Sequence, residues 1–105
     1  MLSERRARIV YDTGADVARL EVEGAGEVKA SPSEAADSLL LDRQGALVGV
    51  DLGGDGLSRM VVMVGAHEDV AMTKEAVVLL ATDARGEPLE IRIANARKVL
   101  SGTVG

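Results

Sequence analysis

The chain alternates short apolar runs with short polar segments, and this pattern predicts a mainly β protein. The predicted strands are rich in valine, leucine and isoleucine and lie at residues 17–22, 39–41, 47–52, 60–64, 77–81 and 89–93. Two stretches rich in Ala, Ser and Glu, at residues 30–37 and 71–76, predict short helical turns between strands. The resulting element list is dominated by strands.

Two polar segments have the composition of tight turns. Asp42-Arg43-Gln44-Gly45 follows one apolar run, and Asp83-Ala84-Arg85-Gly86 follows another. An aspartate that opens a turn accepts backbone hydrogen bonds, and a glycine that closes it adopts positive φ without strain. Each segment therefore predicts a β-hairpin.

The two hairpins belong to an internal repeat. A shift of 41 residues aligns the halves without a gap and gives nine identities over positions 20–52, namely Gly24/Gly65, Ala25/Ala66, Glu27/Glu68, Ala30/Ala71, Glu34/Glu75, Ala35/Ala76, Leu39/Leu80, Asp42/Asp83 and Gly45/Gly86. We interpret residues 1–105 as one domain whose repeat-like halves, 9–52 and 61–100, are joined by the Gly-rich linker 53–56. The predicted fold is two related three-stranded antiparallel meanders, packed as a small sandwich or barrel-like domain.

Composition narrows the possible partners. The chain has 105 residues, a formal net charge of −5 and a single aromatic side chain, Tyr11. An acidic chain with almost no aromatic rings lacks both the charge and the stacking surfaces that nucleic-acid binding uses. It has no cysteine, no signal-peptide pattern and no apolar run long enough to span a membrane. We therefore expect a cytoplasmic protein with no nucleic-acid partner, no membrane contact and no cofactor.

A segment near the start of the chain, at residues 12–15, resembles a catalytic motif. Asp12-Thr13-Gly14-Ala15 follows an apolar stretch and resembles the loop of retroviral-type aspartic proteases. That resemblance implies a dimer in which two Asp12 carboxylates share one proton. Only 11 residues precede Asp12, which leaves no room for the strand pair that precedes the loop in such proteases. A dimeric aspartic protease is therefore an alternative hypothesis.

The same segment opens a longer pattern. In order, the chain supplies Tyr11, Asp12, Ala15, Asp16, Leu20, Asp42, Gly45, Leu47, Val48, Gly49 and Val50. This series resembles the family called domain of unknown function 2283, over residues 9–52. The resemblance makes Tyr11, Asp12, Ala15, Asp16, Asp42 and Gly45 the candidate motif residues. It implies binding rather than catalysis, with an antitoxin-like partner of a small toxin as a further alternative.

The residues of the opening motif are also explained by structural roles alone. Asp12 and Asp16 are suited to accept hydrogen bonds from turn amides, with Gly14 at positive φ between them, and Tyr11 is suited to close one end of the core. His67-Glu68-Asp69 offers three possible metal ligands, but adjacent residues of an extended chain point to alternate sides. We expect a solvated connection there and no metal site.

Charge and core size complete the prediction. Basic residues cluster near both ends, as Arg5, Arg6, Arg8, Arg92, Arg97 and Lys98, and we interpret them as solubilising arms. A single three-stranded unit with small aliphatic side chains is hardly stable by itself, so we expect a homo-oligomer or a protein partner. The leading hypothesis is a small, non-catalytic binding or assembly protein that self-associates.

Overall fold

The structure, a computed structural model, describes residues 3–24, 32–53, 60–65, 69–83 and 87–99. These residues form seven strands and one helical turn, namely β1 (Ser3–Asp12), β2 (Val17–Val22), β3 (Ser33–Leu41), β4 (Leu47–Gly53), β5 (Met60–Met63), β6 (Met72–Thr82), β7 (Pro88–Ala94) and α1 (Ala96–Val99). The strands close into a barrel in the order β1-β2-β7-β6-β3-β4-β5, with β1 parallel to β5. The mainly β, barrel-like prediction is confirmed.

The basic N-terminal segment is a strand of the barrel. Ala7, Ile9 and Tyr11 pack against the core, whereas the alternating Arg6 and Arg8 are exposed. β1 closes the barrel because it pairs with β2 on one side and β5 on the other. The interpretation of this end as a solubilising arm is therefore wrong, although its period of two was visible in the sequence.

The described parts of the two predicted hairpins share their strand register and the backbone bond that closes the turn. Leu39 pairs with Val50 in the first hairpin, and 41 residues later Leu80 pairs with Ile91 in the second. Both ladders shift register one residue pair before the turn, between Leu40 and Leu41 and between Ala81 and Thr82. In each turn the aspartate amide donates to the carbonyl four residues ahead, at 2.9 Å and 3.0 Å. The repeat itself stays a prediction, and this equivalence supports it.

The two halves do not form separate three-stranded meanders, because among the described strands β2 is not paired with β3 and β5 is not paired with β6. β2, from the first half, pairs with β7 of the second hairpin, and β5, from the second half, pairs with β4 of the first hairpin. β1 lies between β2 and β5 and pairs with both. β3 and β6 also pair with each other along nine residue pairs. This crossing lets both halves share one core, which neither hairpin would enclose alone.

The β3–β6 pairing overturns the two predicted helical turns within the described residues. Residues 33–37 and 72–76 are extended and bonded to strands, although Ala, Ser and Glu are poor strand formers. Strand formation depends on packing against neighbours, and here each stretch is the other's neighbour. Tertiary pairing therefore outweighs local preference.

The core is aliphatic. The largest fully buried side chains are Leu20, Leu39, Met63, Ile91, Ile93, Val50, Val62 and Val78. A second, smaller cluster joins Leu40, Val48, Val61 and Met63, with Val70 against it. Across the described ranges no charged or polar residue is buried as a whole, and none of the helical residues forms a segment with the length and apolar composition of a membrane span.

The strand pairing places several segments at one end of the barrel. The β1–β2 turn, the β3–β4 turn, the start of β6 and α1 all lie there, because β2 ends its ladder with β7 at Val17 and Ala94, and β3 ends its ladder with β6 at Leu41 and Met72. Ala96 of α1 is fully buried and packs in the main core cluster. The helical turn therefore covers this end, which contains both sequence motifs.

Candidate functional site

The Tyr11–Asp16 motif forms the corner between β1 and β2. The Asp12 Oδ1 atom accepts hydrogen bonds from the amides of Gly14, at 3.0 Å, and Ala15, at 3.1 Å. This arrangement is an aspartate-capped turn, as the sequence predicted. The positive φ lies at Asp16, at 54°, and not at Gly14, so the expectation for Gly14 is wrong. Aspartate is one of the few non-glycine residues found in this left-handed conformation.

Asp16 connects this corner to the C-terminal helical turn. Its Oδ1 atom accepts the Tyr11 hydroxyl at 2.6 Å and the Arg97 amide at 2.9 Å. Its carbonyl oxygen accepts the Ala96 amide at 3.0 Å. The motif residues Tyr11 and Asp16 therefore hold α1 over the end of the barrel, and Tyr11 packs against the core as predicted.

These bonds shift two titrations. The Tyr11 hydroxyl, with help from the Arg97 amide, holds the pKa of Asp16 below its ordinary value of 3.8. The same hydrogen bond, followed by burial, raises the pKa of Tyr11 above its ordinary value of 10.0. Both shifts have the same cause, because the hydrogen bond stabilises the neutral form of the Tyr11 phenol and the ionised form of the Asp16 carboxylate.

We predict that this contact shapes stability at both ends of the pH scale. The pKa of Asp16 is lower in the folded state than in the unfolded state. Its contribution to the free energy of unfolding is therefore present above the unfolded pKa and is lost as pH falls through the folded pKa, below about pH 4. Tyr11 has a raised folded pKa, so its contribution is present below 10.0 and is lost as pH rises beyond that value. Urea midpoints measured across pH are expected to fall at both ends.

The matched control for this prediction is Tyr11→Phe, which keeps the ring and removes the hydroxyl. The alkaline fall should become shallower in this variant because no phenol remains to ionise. The acid fall should also shrink, since Asp16 loses the Tyr11 hydrogen bond that does most to lower its pKa. Identical pH profiles for the two proteins would contradict the prediction.

The second motif forms the β3–β4 turn. The Asp42 Oδ1 atom accepts the amides of Gln44 and Ala46, each at 2.9 Å, and Gly45 has a φ of 83°. Only glycine adopts that angle freely. The two motifs lie at the same end of the barrel but on different strand pairs, and each aspartate bonds amides of its own turn.

The catalytic hypotheses concern these same residues. Asp12 is exposed in a hairpin turn, and its Oδ1 atom serves two amides. A proton shared between two Asp12 carboxylates stays an untested prediction. His67 lies outside the described residues. Within the described ranges no three acidic or histidine side chains are grouped so as to hold a metal ion.

Sequence reasoning missed an apolar groove beside β6. β6 pairs with β3 from Met72 onward but with β7 only from Leu79, so the strands separate below that point. A cavity of about 460 Å³ occupies the gap, and its lining residues are Glu34, Lys74, Glu75, Ala76, Val77, Val78, Leu79, Arg92, Ala94, Asn95 and Val99. We call this the β6 groove. The signal in the sequence was Val77, an apolar residue out of phase with the buried Val78.

Exposed apolar surface concentrates on the same strand. Val77 is 63% exposed and lines the groove, whereas Met72, which is 44% exposed, lies five residues away on β6 and does not line it. Two acidic groups, Glu34 and Glu75, and two basic groups, Lys74 and Arg92, line the groove. An apolar patch rimmed by charges of both signs is typical of a protein-binding surface.

The equivalent gap in the other half is acidic. Where β3 and β4 separate, Asp37, Asp51 and Glu75 line a cavity of about 350 Å³. The Oδ2 atom of Asp37 is buried there without a hydrogen-bond partner. Burial, and then the nearby Asp51 charge, raise the pKa of Asp37. A 41-residue shift places Val78 at the position of Asp37 and Arg92 at that of Asp51, so the two gaps differ in chemistry.

The outer face of β1, β2 and β7 is covered by ion pairs. Glu21 bonds Arg8 and lies 3.3 Å from Arg19, and Glu90 bonds Arg92 at 2.6 Å. Arg19 also approaches Glu90, at 3.8 Å between Nε and Oε1. These charges are paired within the chain, so this face is less suited to docking than the β6 groove.

The comparisons with known proteins add no relative. No family model, no curated protein and no solved structure matches the chain. The resemblance to the domain of unknown function 2283 family stays a prediction. Inference about function therefore depends on the geometry of the barrel.

Proposed function

We propose that the chain is a non-catalytic assembly module that associates with a second copy of itself through the β6 groove. The observation that carries this proposal is the 63% exposure of Val77 at a concave, apolar surface. Leaving a valine in water forgoes roughly 1.5 kcal/mol of burial free energy. A partner that covers it recovers that free energy.

Charge favours a second copy as the occupant. An interface with two-fold symmetry brings the same patch of both subunits together, so each charge needs an opposite charge within that patch. The rim of the β6 groove carries two acidic and two basic side chains, so these four charges cancel and give no single-sign field that would repel a second copy. Arg92 and Lys74 also bond Glu90 and the Val99 carbonyl, respectively, within the chain. A strongly acidic or strongly basic partner would find half of this rim repulsive.

The barrel also limits how copies can meet. Each strand has a neighbour on both sides in the closed order, but β6 is paired with β7 only from Leu79 onward. Association through the β6 groove would therefore cover this stretch of β6 as well as the side chains of the groove. The turn aspartates Asp12, Asp16 and Asp42 are engaged with backbone amides, which supports a structural rather than a catalytic role for them.

The test is Val77→Glu. A buried carboxylate at the centre of the groove costs free energy, so we expect self-association to weaken by at least about tenfold. Sedimentation velocity over a concentration series measures this change. Gln44→Glu is the matched control, because it adds the same charge to an exposed turn and should leave association unchanged. A wild-type chain that stays monomeric throughout the series would contradict the proposal.

A further inference from the structure

We infer that residues 95–99 form a strap that completes one wall of the β6 groove, and that Asp16 is the catch that holds the strap in place. The part of this inference that concerns association rests on the proposed function. The strap itself stands on separate observations, namely its attachments, its backbone conformation and its position beside the groove.

The strap is attached at both ends. At its start, Asp16 accepts the Ala96 amide through its carbonyl and the Arg97 amide through its carboxylate, at 3.0 Å and 2.9 Å. At its end, the Lys74 Nζ atom donates to the Val99 carbonyl at 3.1 Å. Between these points Ala96 is fully buried and Val99 packs against the core.

The joint between catch and strap is strained. Asp16 and Asn95 both have a φ of 54°, and they are the non-glycine residues at positive φ in the described chain. Such conformations persist only where the surroundings enforce them. Here the enforcing contacts are a few hydrogen bonds outside the strand ladders and the packing of Ala96 and Val99, so the strap has fewer attachments than a strand and is expected to open more easily than the barrel.

Opening would change the docking surface. Asn95 and Val99 line the β6 groove, and Ala94 leads into the strap. With the strap detached, the groove loses this wall while Val77 and Val78 stay on β6. Asp16, in the β1–β2 turn, therefore affects the shape of the β6 groove although it does not line the groove.

The experiment compares hydrogen exchange in wild type and Asp16→Ala. The informative amides are Lys98 and Val99, because they donate to the Asn95 carbonyl rather than to Asp16. Loss of the catch should speed their exchange about tenfold. Amides of Leu20 and Ile91, within the ladders, exchange through global unfolding, so their change measures the loss of global stability, and the strap amides should exchange faster than these in both proteins. Asp12→Ala is the matched control, since it removes an aspartate from the same turn with its two turn bonds and leaves the catch intact.

A second variant protects the test against misfolding of the first. Lys74→Met removes the bond at the far end of the strap without altering the turn, and should speed exchange at Val99. Unchanged exchange at Lys98 and Val99 in a folded Asp16→Ala protein, or in Lys74→Met should Asp16→Ala fail to fold, would overturn the strap.

The association arm separates the two proposals. Asp16→Ala is expected to weaken self-association about tenfold, which Asp12→Ala should not do. A monomeric wild type with faster strap exchange in Asp16→Ala would sink the proposed function and leave the strap standing. Faster exchange with undiminished self-association would overturn the strap's role in the groove.

Discussion

Replacing Gly49 by alanine is expected to lower the free energy of unfolding by about 3 kcal/mol. A Cβ atom at this position would lie 2.5 Å from the Val62 carbonyl oxygen and 2.8 Å from the Met63 sulfur. The sulfur belongs to a flexible side chain, but the carbonyl is part of the β4–β5 ladder. Relief of the clash therefore requires the two strands to move apart. Urea denaturation of the purified protein measures the loss.

Gly65→Ala is the control for this prediction. The added Cβ would meet the Val48 Cγ1 atom at 3.5 Å, which is an ordinary contact. We expect its effect on unfolding to stay within about 1 kcal/mol. Similar losses for the two variants would show that close strand approach is not the reason for glycine at position 49.

Truncation of Leu39 to alanine is expected to cost about 2–5 kcal/mol, because it leaves a cavity in a fully buried site. Leu39 is completely excluded from solvent and pairs with Val50, which is also fully buried. Denaturant midpoints with unchanged slopes would show a loss of stability without a change of fold.

The repeat supplies the control. Leu80 occupies the position of Leu39 in the second hairpin but is only partly buried. Leu80→Ala should therefore cost clearly less than Leu39→Ala, although the two sequences predict the same role. Equal losses would contradict the burial difference between the two halves.

Much of the barrel was predictable from local patterns. The Asp42 and Asp83 turns were visible because aspartate and glycine have specific backbone functions at fixed spacing. β1 was predictable in principle, since apolar side chains alternate from Ala7 to Tyr11, but its arginines favoured a solvated arm. Arg8 forms an ion pair with Glu21 of β2, and the sequence around Arg8 does not reveal this partner.

The candidate site was predictable only in part. The motif residues Tyr11 and Asp16 were identified, but their connection to Ala96 and Arg97 spans 81 residues of chain. Val77 was predicted as a strand residue, not as an exposed one. Its exposure depends on where β7 leaves β6, which is set by the pairing register.

The sequence by itself determined the approximate positions of β2 to β7 and the two hairpins, because alternation and turn chemistry act over a few neighbouring residues. The tertiary structure alone decided which strands pair across the halves, that the stretches 33–37 and 72–76 are extended, and that a groove opens beside Val77. Those outcomes depend on one core being shared by strands far apart in the chain, and burial of that core outweighs the preferences of any single segment.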